Sequence, residues 1–233
     1  MNINKENNLL NQKIVYDVTP FTHLDFPNHL ACIVWLCGCN MRCDYCYNKE
    51  IVFSKKGKYS FEDILEFLQT RVGLLDGVVL SGGEATLHNS VPFCQALKKL
   101  RFKIKLDTNG TNYLLLKQLL ELNLLDYVAL DYKAPKEKFQ SLTHSNLYKN
   151  FLKSLDMLIK SNIDFEVRTT LHNDLLDEND INIIINDLKS RGYKKHYYLQ
   201  KFLSTTQNIG NLSEPTHSFN KALLVDTLPI VWR

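Results

Sequence analysis

Three cysteines lie close together in the segment Cys39-Asn-Met-Arg-Cys43-Asp-Tyr-Cys46. Three thiolates at this four-then-three spacing can hold a four-iron cluster and leave one iron without a protein ligand. A metal with an open coordination position can bind and activate a substrate, whereas clusters that only transfer electrons usually have four cysteine ligands. The segment therefore predicts catalysis at an iron–sulfur cluster, with Cys39, Cys43 and Cys46 as its ligands.

A zinc site is the structural alternative for these thiols, and it would need a fourth ligand. Cys37 or His23 could supply that ligand, although Cys37 lies so close to Cys39 that both could coordinate only across a sharp turn. Cys32 falls on a predicted strand and Cys94 on a predicted helix, where free cysteine usually behaves as a small buried apolar residue. Neither is a favoured ligand.

The composition favours a folded protein whose partner is another protein or a small molecule. The chain has 233 residues, 45% of them hydrophobic, and a formal net charge of +3 without a block of Lys and Arg. That pattern predicts neither nucleic-acid binding nor a polybasic membrane surface. No apolar stretch approaches the roughly 20 residues that span a bilayer, and the first residues lack the apolar core of a secretory signal. We therefore expect a cytoplasmic location.

The elements that would position the thiols alternate regularly between strand and helix. After a strand-and-loop segment at 14–30, the predicted strands are 31–36, 77–80, 103–107, 127–130, 165–170 and 196–202, and the predicted helices are 61–70, 91–100, 113–122, 147–161 and 180–191. Six strands joined by five helices predict an α/β fold, a partial (β/α)6 barrel of parallel strands with outer helices. A doubly wound open sheet is the alternative.

The predicted organisation is one domain in three parts. These are an N-terminal extension at 1–30, the barrel at 31–203 and a C-terminal tail at 204–233 that packs on the barrel. The predicted helix at 61–70 has Ser60 as a candidate cap, with Asp63 three residues later. The chemical motifs fall where predicted strands end, which is the edge at which parallel α/β folds place their active sites.

A second motif, Ser81-Gly82-Gly83-Glu84, follows the second strand of the predicted barrel. Two glycines allow the backbone to approach a ligand and to expose its amide and carbonyl groups, and a carboxylate follows at once. Alone, Gly-Gly-Glu is a common turn. After a three-cysteine loop and a strand it predicts a ligand site.

This combination resembles the radical S-adenosylmethionine enzymes, in their Cys-x3-Cys-x2-Cys loop and their Gly-Gly-Glu strand. The resemblance implies one [4Fe-4S] cluster, S-adenosylmethionine as cofactor and a partial barrel. It also implies that Tyr45 lies beside the adenine of the cofactor.

Within that superfamily the chain most resembles the enzymes that activate glycyl radical proteins, in particular anaerobic ribonucleoside-triphosphate reductase. The resemblance is carried by Thr19-Pro-Phe-Thr-His-Leu-Asp-Phe-Pro27, Gly38-Cys-Asn-Met-Arg-Cys43, Asp107-Thr-Asn-Gly110 and Asp126-Tyr-Val-Ala-Leu-Asp131-Tyr-Lys133. It implies reductive cleavage of S-adenosylmethionine and removal of a hydrogen from a glycine Cα of the reductase. A flavodoxin or ferredoxin-type protein would donate the electron.

Asp107 and Asp131 end adjacent predicted strands, so their carboxylates should converge with only Lys133 in the sequence to neutralise them. Convergent carboxylates are stable when a cation lies between them. Related activating enzymes hold a monovalent cation at the matching positions, and we expect one at Asp107, Thr108 and Asp131. The structural alternative is that each Asp caps a turn.

Arg168 ends a predicted strand, and its planar guanidinium suits a carboxylate, either of the cofactor or of the protein at Glu166 or a neighbouring strand. We expect Lys133 and the backbone of Tyr132 to bind the cofactor, and Gln200 to reach its adenosine. The full predicted set of cofactor-binding residues is Tyr45, Gly82, Gly83, Glu84, Thr108, Asn109, Asp131, Tyr132, Lys133, Arg168 and Gln200.

Two other functions fit parts of these patterns. A radical S-adenosylmethionine enzyme that acts on a small molecule, such as 7-carboxy-7-deazaguanine synthase, would have the same first motifs. An electron carrier could use the same thiols but would not need Gly-Gly-Glu, Asp-Thr-Asn-Gly and Asp-x-Lys at successive strand ends.

Overall fold

The computed structural model of the chain describes residues 9–205 and 207–233. The strands are β1 (Val15–Thr22), β2 (Ala31–Leu36), β3 (Gly77–Gly82), β4 (Lys103–Thr108), β5 (Tyr127–Asp131), β6 (Asp164–Leu171), β7 (Tyr197–Lys201) and β8 (Ile230–Trp232). The helices are α1 (Lys49–Phe53), α2 (Phe61–Gln69), α3 (Val91–Lys99), α4 (Tyr113–Glu121), α5 (Lys136–Thr143), α6 (Tyr148–Lys160) and α7 (Glu178–Ser190), with 3-10 turns at Ala85–Leu87 and Lys221–Leu223.

The eight strands follow one another in the sheet in the same order as in the sequence, and the sheet is not closed. β2 pairs in parallel with β3, β3 with β4, β6 with β7 and β7 with β8, while β1 pairs antiparallel with β2. The predicted α/β fold with a parallel, unclosed barrel sheet is therefore confirmed. β8 was not predicted, because three residues with little periodicity give no strand signal.

The five predicted helices are present, and Ser60 caps α2 in a reciprocal capping box with Asp63, as predicted. Two short helices, α1 and α5, were missed. α5 has only eight residues and begins after Pro135, and its buried face contains just Phe139 and Leu142 in addition to its last residue. A face this short does not complete the repeat that identifies an amphipathic helix.

The chain divides into two compact units, which are interleaved in sequence. The first takes in the described residues up to Asn40 together with Glu50–Thr108 and Leu114–Val128, and the second takes in Met41–Lys49, Asn109–Tyr113 and Ala129–Arg233. The predicted boundaries after residues 30 and 203 stay predictions.

Each unit has its own apolar packing. In the first, Phe26, Ala31, Ile33 and Val79 form a buried cluster. In the second, the ring of Tyr132 meets that of Phe151 edge-on at 4.6 Å, and Phe139 meets Tyr148 in the same way at 5.1 Å. Within the residues that the structure describes, no helix is both long and apolar enough to cross a bilayer.

Candidate active site

The segment 39–46 that carries the three cysteines is called the cysteine loop. Its start is held by the Gly-Gly-Glu turn, within the first unit. Gly83 N–H donates to Leu36 O at 2.9 Å, and Glu84 N–H donates to Gly38 O at 2.8 Å. A Cβ at Gly83 would lie 2.0 Å from Gly38 O and 3.3 Å from the Cβ of Cys39. Only glycine permits this close approach. The turn therefore fixes the backbone next to the first predicted cluster ligand.

Glu84 is buried, at 2% exposure, and joins the ends of two strands. Its Oε1 accepts hydrogen bonds from Thr86 N–H at 3.0 Å, Thr86 Oγ1 at 2.5 Å and Thr108 Oγ1 at 2.7 Å. These donors are all neutral. The carboxylate thereby fastens the 3-10 turn after β3 to the last residue of β4.

Asp107 has a cationic partner that the sequence analysis missed. Lys105 Nζ donates to Asp107 Oδ1 at 2.6 Å, and Ser81 Oγ donates to Oδ2 at 3.2 Å. The expectation that only Lys133 could neutralise this carboxylate is therefore wrong. The signal was present in the sequence, because residues two apart in a strand lie on the same face.

Asp131 is the centre of a charged cluster in the second unit. Arg168 Nε donates to its Oδ1 at 2.5 Å, and Lys133 Nζ donates to its Oδ2 at 3.0 Å. Burial alone would raise the pKa of Asp131, but the two cations outweigh it and lower that pKa to about 2. The structure shows an ion pair between Arg168 and Asp131 on the neighbouring strand, and the predicted contact between Arg168 and the cofactor stays a prediction.

Tyr45 interacts with this charged cluster and with Cys43 and Cys46. Lys133 Nζ is 5.8 Å from the centroid of the Tyr45 ring. Burial raises the pKa of Tyr45, and its buried hydroxyl has no hydrogen-bond partner among the residues that the structure describes. An unsatisfied buried hydroxyl costs roughly 1–3 kcal/mol. A bound ligand or water would remove that cost.

The thiols of the second unit differ in exposure. Cys43 is buried, at 6% exposure, whereas Cys46 is half-buried. Burial raises the pKa of Cys46, and the positive charge of Lys133 opposes that rise. A metal ligand must be a thiolate, and coordination itself removes the proton. The positive charge of Lys133 acts on both Cys43 and Cys46, and thiolates near a retained positive charge suit an anionic iron–sulfur cluster.

The end of α5 holds the peptide that carries Cys43. Arg42 N–H donates to Thr143 O at 2.8 Å, and Asp44 N–H donates to Leu142 O at 3.1 Å. These carbonyls at a helix C-terminus have no partner within the helix, so they are free to accept bonds from a loop. His144, which ends the helix in the left-handed conformation, lies with Nε2 2.9 Å from Asp44 Oδ1.

The backbone of Tyr132 already has partners within the protein. Its N–H donates to Arg168 O at 2.9 Å, and its carbonyl accepts from Thr169 Oγ1 at 2.6 Å. Its side chain is fully buried and its hydroxyl lies 2.7 Å from that of Tyr148. The predicted contact between this backbone and the cofactor stays a prediction.

Two further predicted residues lie at separate places in the second unit. Asn109 is buried, and its side-chain oxygen accepts from Thr111 N–H at 3.0 Å and Thr111 Oγ1 at 2.7 Å. Gln200 lies on β7 opposite Thr170 of β6. Asn109 therefore shapes the turn after β4, whereas Gln200 is half-buried near the end of its strand.

The remaining cysteines are buried. Cys32 and Cys94 are inaccessible, as predicted, and burial raises the pKa of each thiol to about 12. Cys37 is buried too, and its carbonyl accepts a hydrogen bond from Nε2 of His88 at 2.7 Å. In the part of the chain that the structure describes, no three His, Cys, Asp or Glu side chains are arranged around a position for a metal ion.

Comparison with known proteins identifies relatives of two kinds. A protein of Methanocaldococcus jannaschii that is provisionally named a glycyl-radical enzyme activating enzyme is 31% identical over 186 residues, which cover 76% of this chain and 75% of the relative. The 7-carboxy-7-deazaguanine synthase of Buchnera aphidicola subsp. Schizaphis graminum is 23% identical over 193 residues, which cover 71% of this chain and 85% of the synthase.

The fold resembles that of Streptococcus suis SuiB bound to S-adenosylmethionine, with a TM-score of 0.63 and 10% identity. The match covers 84% of this chain and 48% of SuiB, so the chain spans about half the length of that protein. The model of the Radical SAM superfamily matches residues 33–184, which is more than half of the chain. The chain belongs to the radical SAM superfamily.

Proposed function

We propose that this radical SAM enzyme activates a glycyl radical protein, in particular anaerobic ribonucleoside-triphosphate reductase. The observation that carries the proposal is the 31% identity, over three quarters of both chains, to the relative provisionally named a glycyl-radical enzyme activating enzyme. The segments Asp107-Thr-Asn-Gly110 and Asp131-Tyr-Lys133 support the choice of reductase by resemblance. A flavodoxin or ferredoxin-type protein is the proposed electron donor.

Membership of the superfamily implies a [4Fe-4S] cluster and S-adenosylmethionine. The proposal assigns the cluster to Cys39, Cys43 and Cys46. Together the two groups, when bound, supply reductive cleavage of the sulfonium and removal of a hydrogen atom from a glycine Cα of the partner. The residues proposed to hold S-adenosylmethionine are Tyr45, Gly82, Gly83, Glu84, Thr108, Asn109, Asp131, Tyr132, Lys133, Arg168 and Gln200.

The charged cluster around Asp131 contains cationic groups that suit the carboxylate in the amino-acid part of S-adenosylmethionine. Asp131 raises the pKa of Lys133 and so holds it protonated, and it also pairs with the guanidinium of Arg168 in a largely buried place. Lys133 has three N–H donors, and in the described part of the chain one of them bonds to Asp131. The others can bind a carboxylate, and charge-assisted bonds of this kind are about twice as strong as neutral ones.

A monovalent cation at Asp107, Thr108 and Asp131 remains part of the proposal. It would have to compete with Lys105 for Asp107 and with two cations for Asp131. We expect the binding of S-adenosylmethionine to weaken when sodium and potassium are replaced by a large organic cation. Binding that is unchanged would remove the cation from the proposal.

A second candidate function is conversion of a small molecule, as in 7-carboxy-7-deazaguanine synthase. The observation that favours it is the match to the Buchnera aphidicola synthase, which covers 85% of that enzyme. Its identity of 23% is lower than that of the proposed activating enzyme, and we rank it second.

The decisive experiment combines the reconstituted protein with its proposed partner. The cluster is rebuilt anaerobically, and reductant, S-adenosylmethionine and anaerobic ribonucleoside-triphosphate reductase from the same host are added. We expect a glycyl doublet in the electron paramagnetic resonance spectrum of the mixture. The matched control replaces the radical-bearing glycine of the reductase by alanine, which should abolish the doublet.

Formation of 5′-deoxyadenosine without a doublet would reject the reductase as the substrate. The same reconstituted protein would then be given the substrate of 7-carboxy-7-deazaguanine synthase, and turnover would establish the second candidate. Uptake of zinc alone, without a four-iron cluster, would overturn both.

A further inference from the structure

A turn in the C-terminal segment lies against the peptide that ends at Cys46. Ile209 N–H donates to Cys46 O at 3.0 Å, and Gly210 N–H donates to Asp44 O at 2.7 Å. We call residues 208–212 the hook. The sequence analysis did not identify the hook, because its bonds to the cysteine loop come from backbone groups, which every residue type except proline can supply.

The approach of the hook to the loop is too close for a side chain. A Cβ at Gly210 would lie 2.6 Å from the Cβ of Asp44 and 3.0 Å from its Cα and carbonyl oxygen. Two of these three atoms belong to the backbone, so they could give way only by moving the loop itself. Glycine at this position is therefore a requirement of the contact.

Asn208 gives the hook its shape. The residue is buried, at 2% exposure. Its Nδ2 donates to Thr205 O at 3.1 Å and to Leu212 O at 2.7 Å, and its Oδ1 accepts from Leu212 N–H at 2.6 Å. One buried amide thus closes the turn with three hydrogen bonds and orients the N–H groups that meet the loop.

The chain after the hook is tied down as well. His172 lies with Nε2 3.0 Å from Ser213 O. The carboxylate of Asp174 accepts from Thr216 N–H and from His217 N–H, each at 2.9 Å. The hook is therefore anchored to the loop that follows β6.

We propose that the hook is a positioning element for the cysteine loop, with Asn208 and Gly210 as its essential residues. Asp44 is held on both sides, since its N–H donates to Leu142 O and its carbonyl accepts from Gly210. Fixing a loop residue costs backbone entropy, and the hook offsets that cost before any metal binds. The consequence for the cluster rests on the proposed assignment of Cys43 and Cys46 as its ligands.

The test measures how readily Cys43 and Cys46 of the cysteine loop react in the apo-protein, where no cluster is required. We expect Gly210→Ala to raise the rate of alkylation of Cys43 and Cys46 by iodoacetamide several-fold, as mapped by mass spectrometry. Gly192→Ala is the matched control, because Gly192 has a φ of +91° and a Cβ there would meet nothing within 4 Å. That substitution strains a backbone in the same unit without touching the loop.

Asn208→Ala provides a second variant without a steric clash, and it should raise the same two alkylation rates. After anaerobic reconstitution, both variants should contain less iron per chain and show an altered electron paramagnetic resonance signal of the reduced cluster. If neither variant exceeds the control in alkylation rate, the hook does not position the loop. If alkylation responds but the unchanged protein takes up no four-iron cluster, the hook stands and the proposed function fails.

Discussion

Glu84 and Asp131 are two carboxylates that follow or end strands of the sheet, and donors of different charge bond to each within its own unit. Glu84, in the first unit, accepts from two hydroxyl groups and a backbone amide. Asp131, in the second unit, accepts from a guanidinium and an ammonium group. The first set of bonds is neutral and the second joins full charges.

This difference indicates different roles. A buried carboxylate with neutral donors fixes the shape of a turn, and a neutral amide of the same length could accept the same bonds. A carboxylate between two cations offsets part of the cost of burying their positive charges, because it pairs with both of them. We therefore interpret Glu84 as an anchor of the Gly-Gly-Glu turn and Asp131 as the residue that keeps Lys133 and Arg168 available for an anionic ligand.

The largest predicted effect concerns the thiols, which are divided between the two units in the same way. Cys39 belongs to the unit of Glu84, and Cys43 and Cys46 belong to that of Asp131. We expect Cys→Ala at any of the three to abolish the four-iron cluster, because each supplies one of its only three protein ligands in the proposal. The measurement is iron and sulfide content with visible absorption after anaerobic reconstitution.

Cys32→Ala and Cys94→Ala are the controls, since both thiols are inaccessible. They should retain the iron content of the unchanged protein. A cluster that survives the loss of any one of Cys39, Cys43 and Cys46 would contradict the assignment of that residue as a ligand.

The next largest effect is on stability, and it compares the loss of the Asp131 charge with the loss of the Glu84 charge in the apo-protein. Asp131→Asn should lower the free energy of unfolding by on the order of 3 kcal/mol, because it removes the carboxylate that pairs with Lys133 and Arg168 in a largely buried place. Glu84→Gln should cost about 1 kcal/mol, since the amide keeps an oxygen that can accept the existing bonds. Urea unfolding at pH 7 measures both.

Asp17→Asn is the matched control for a carboxylate–ammonium pair in solvent. Asp17 and Lys58 lie 2.6 Å apart with side chains 45% and 57% exposed, so its loss should change stability by roughly 0.5 kcal/mol or less. Equal losses in Asp131→Asn and Glu84→Gln would break the distinction between the two sites.

A further effect, smaller than the full loss expected for Asp131→Asn, is the pH dependence that Asp131 contributes. Its pKa of about 2 in the folded protein lies below the value of about 3.9 expected in the unfolded chain, so its contribution is fully present above about pH 4 and is lost as the pH falls towards 2. The stability gap between the unchanged protein and Asp131→Asn should therefore narrow by about 2 kcal/mol between pH 6 and pH 2. A gap that does not depend on pH would contradict the assigned charge.

Much of the fold could be predicted because most of its strands and helices have a recognisable local hydrophobic pattern. Strands such as β2 are continuous apolar runs, and helices such as α6 repeat their buried positions at helical spacing. α1, α5 and β8 are too short for a period to be recognised, and only tertiary contacts stabilise them. Because α5 was missed, the sequence analysis did not identify the helix whose last carbonyls bond to the peptide around Cys43.

The superfamily was predictable from residue types and spacing, whereas most of the side-chain partnerships were not. The sequence analysis assigned Asp107 and Asp131 to a site in which Lys133 was the only neutralising residue. In the structure Lys105 pairs with Asp107 and Arg168 pairs with Asp131. Side-chain pairing depends on strand register and rotamer, which residue spacing does not specify.

The sequence by itself determined the thiol spacing, the glycines and the order of strands, because covalent connectivity and hydrophobic period are local properties. Only the tertiary structure decided what holds those groups in place: neutral donors for Glu84, cations for Asp131, and the hook at Gly210 for the cysteine loop. These contacts join residues far apart in the chain. Their geometry follows from packing, in which a few tenths of an ångström separate a hydrogen bond from a clash.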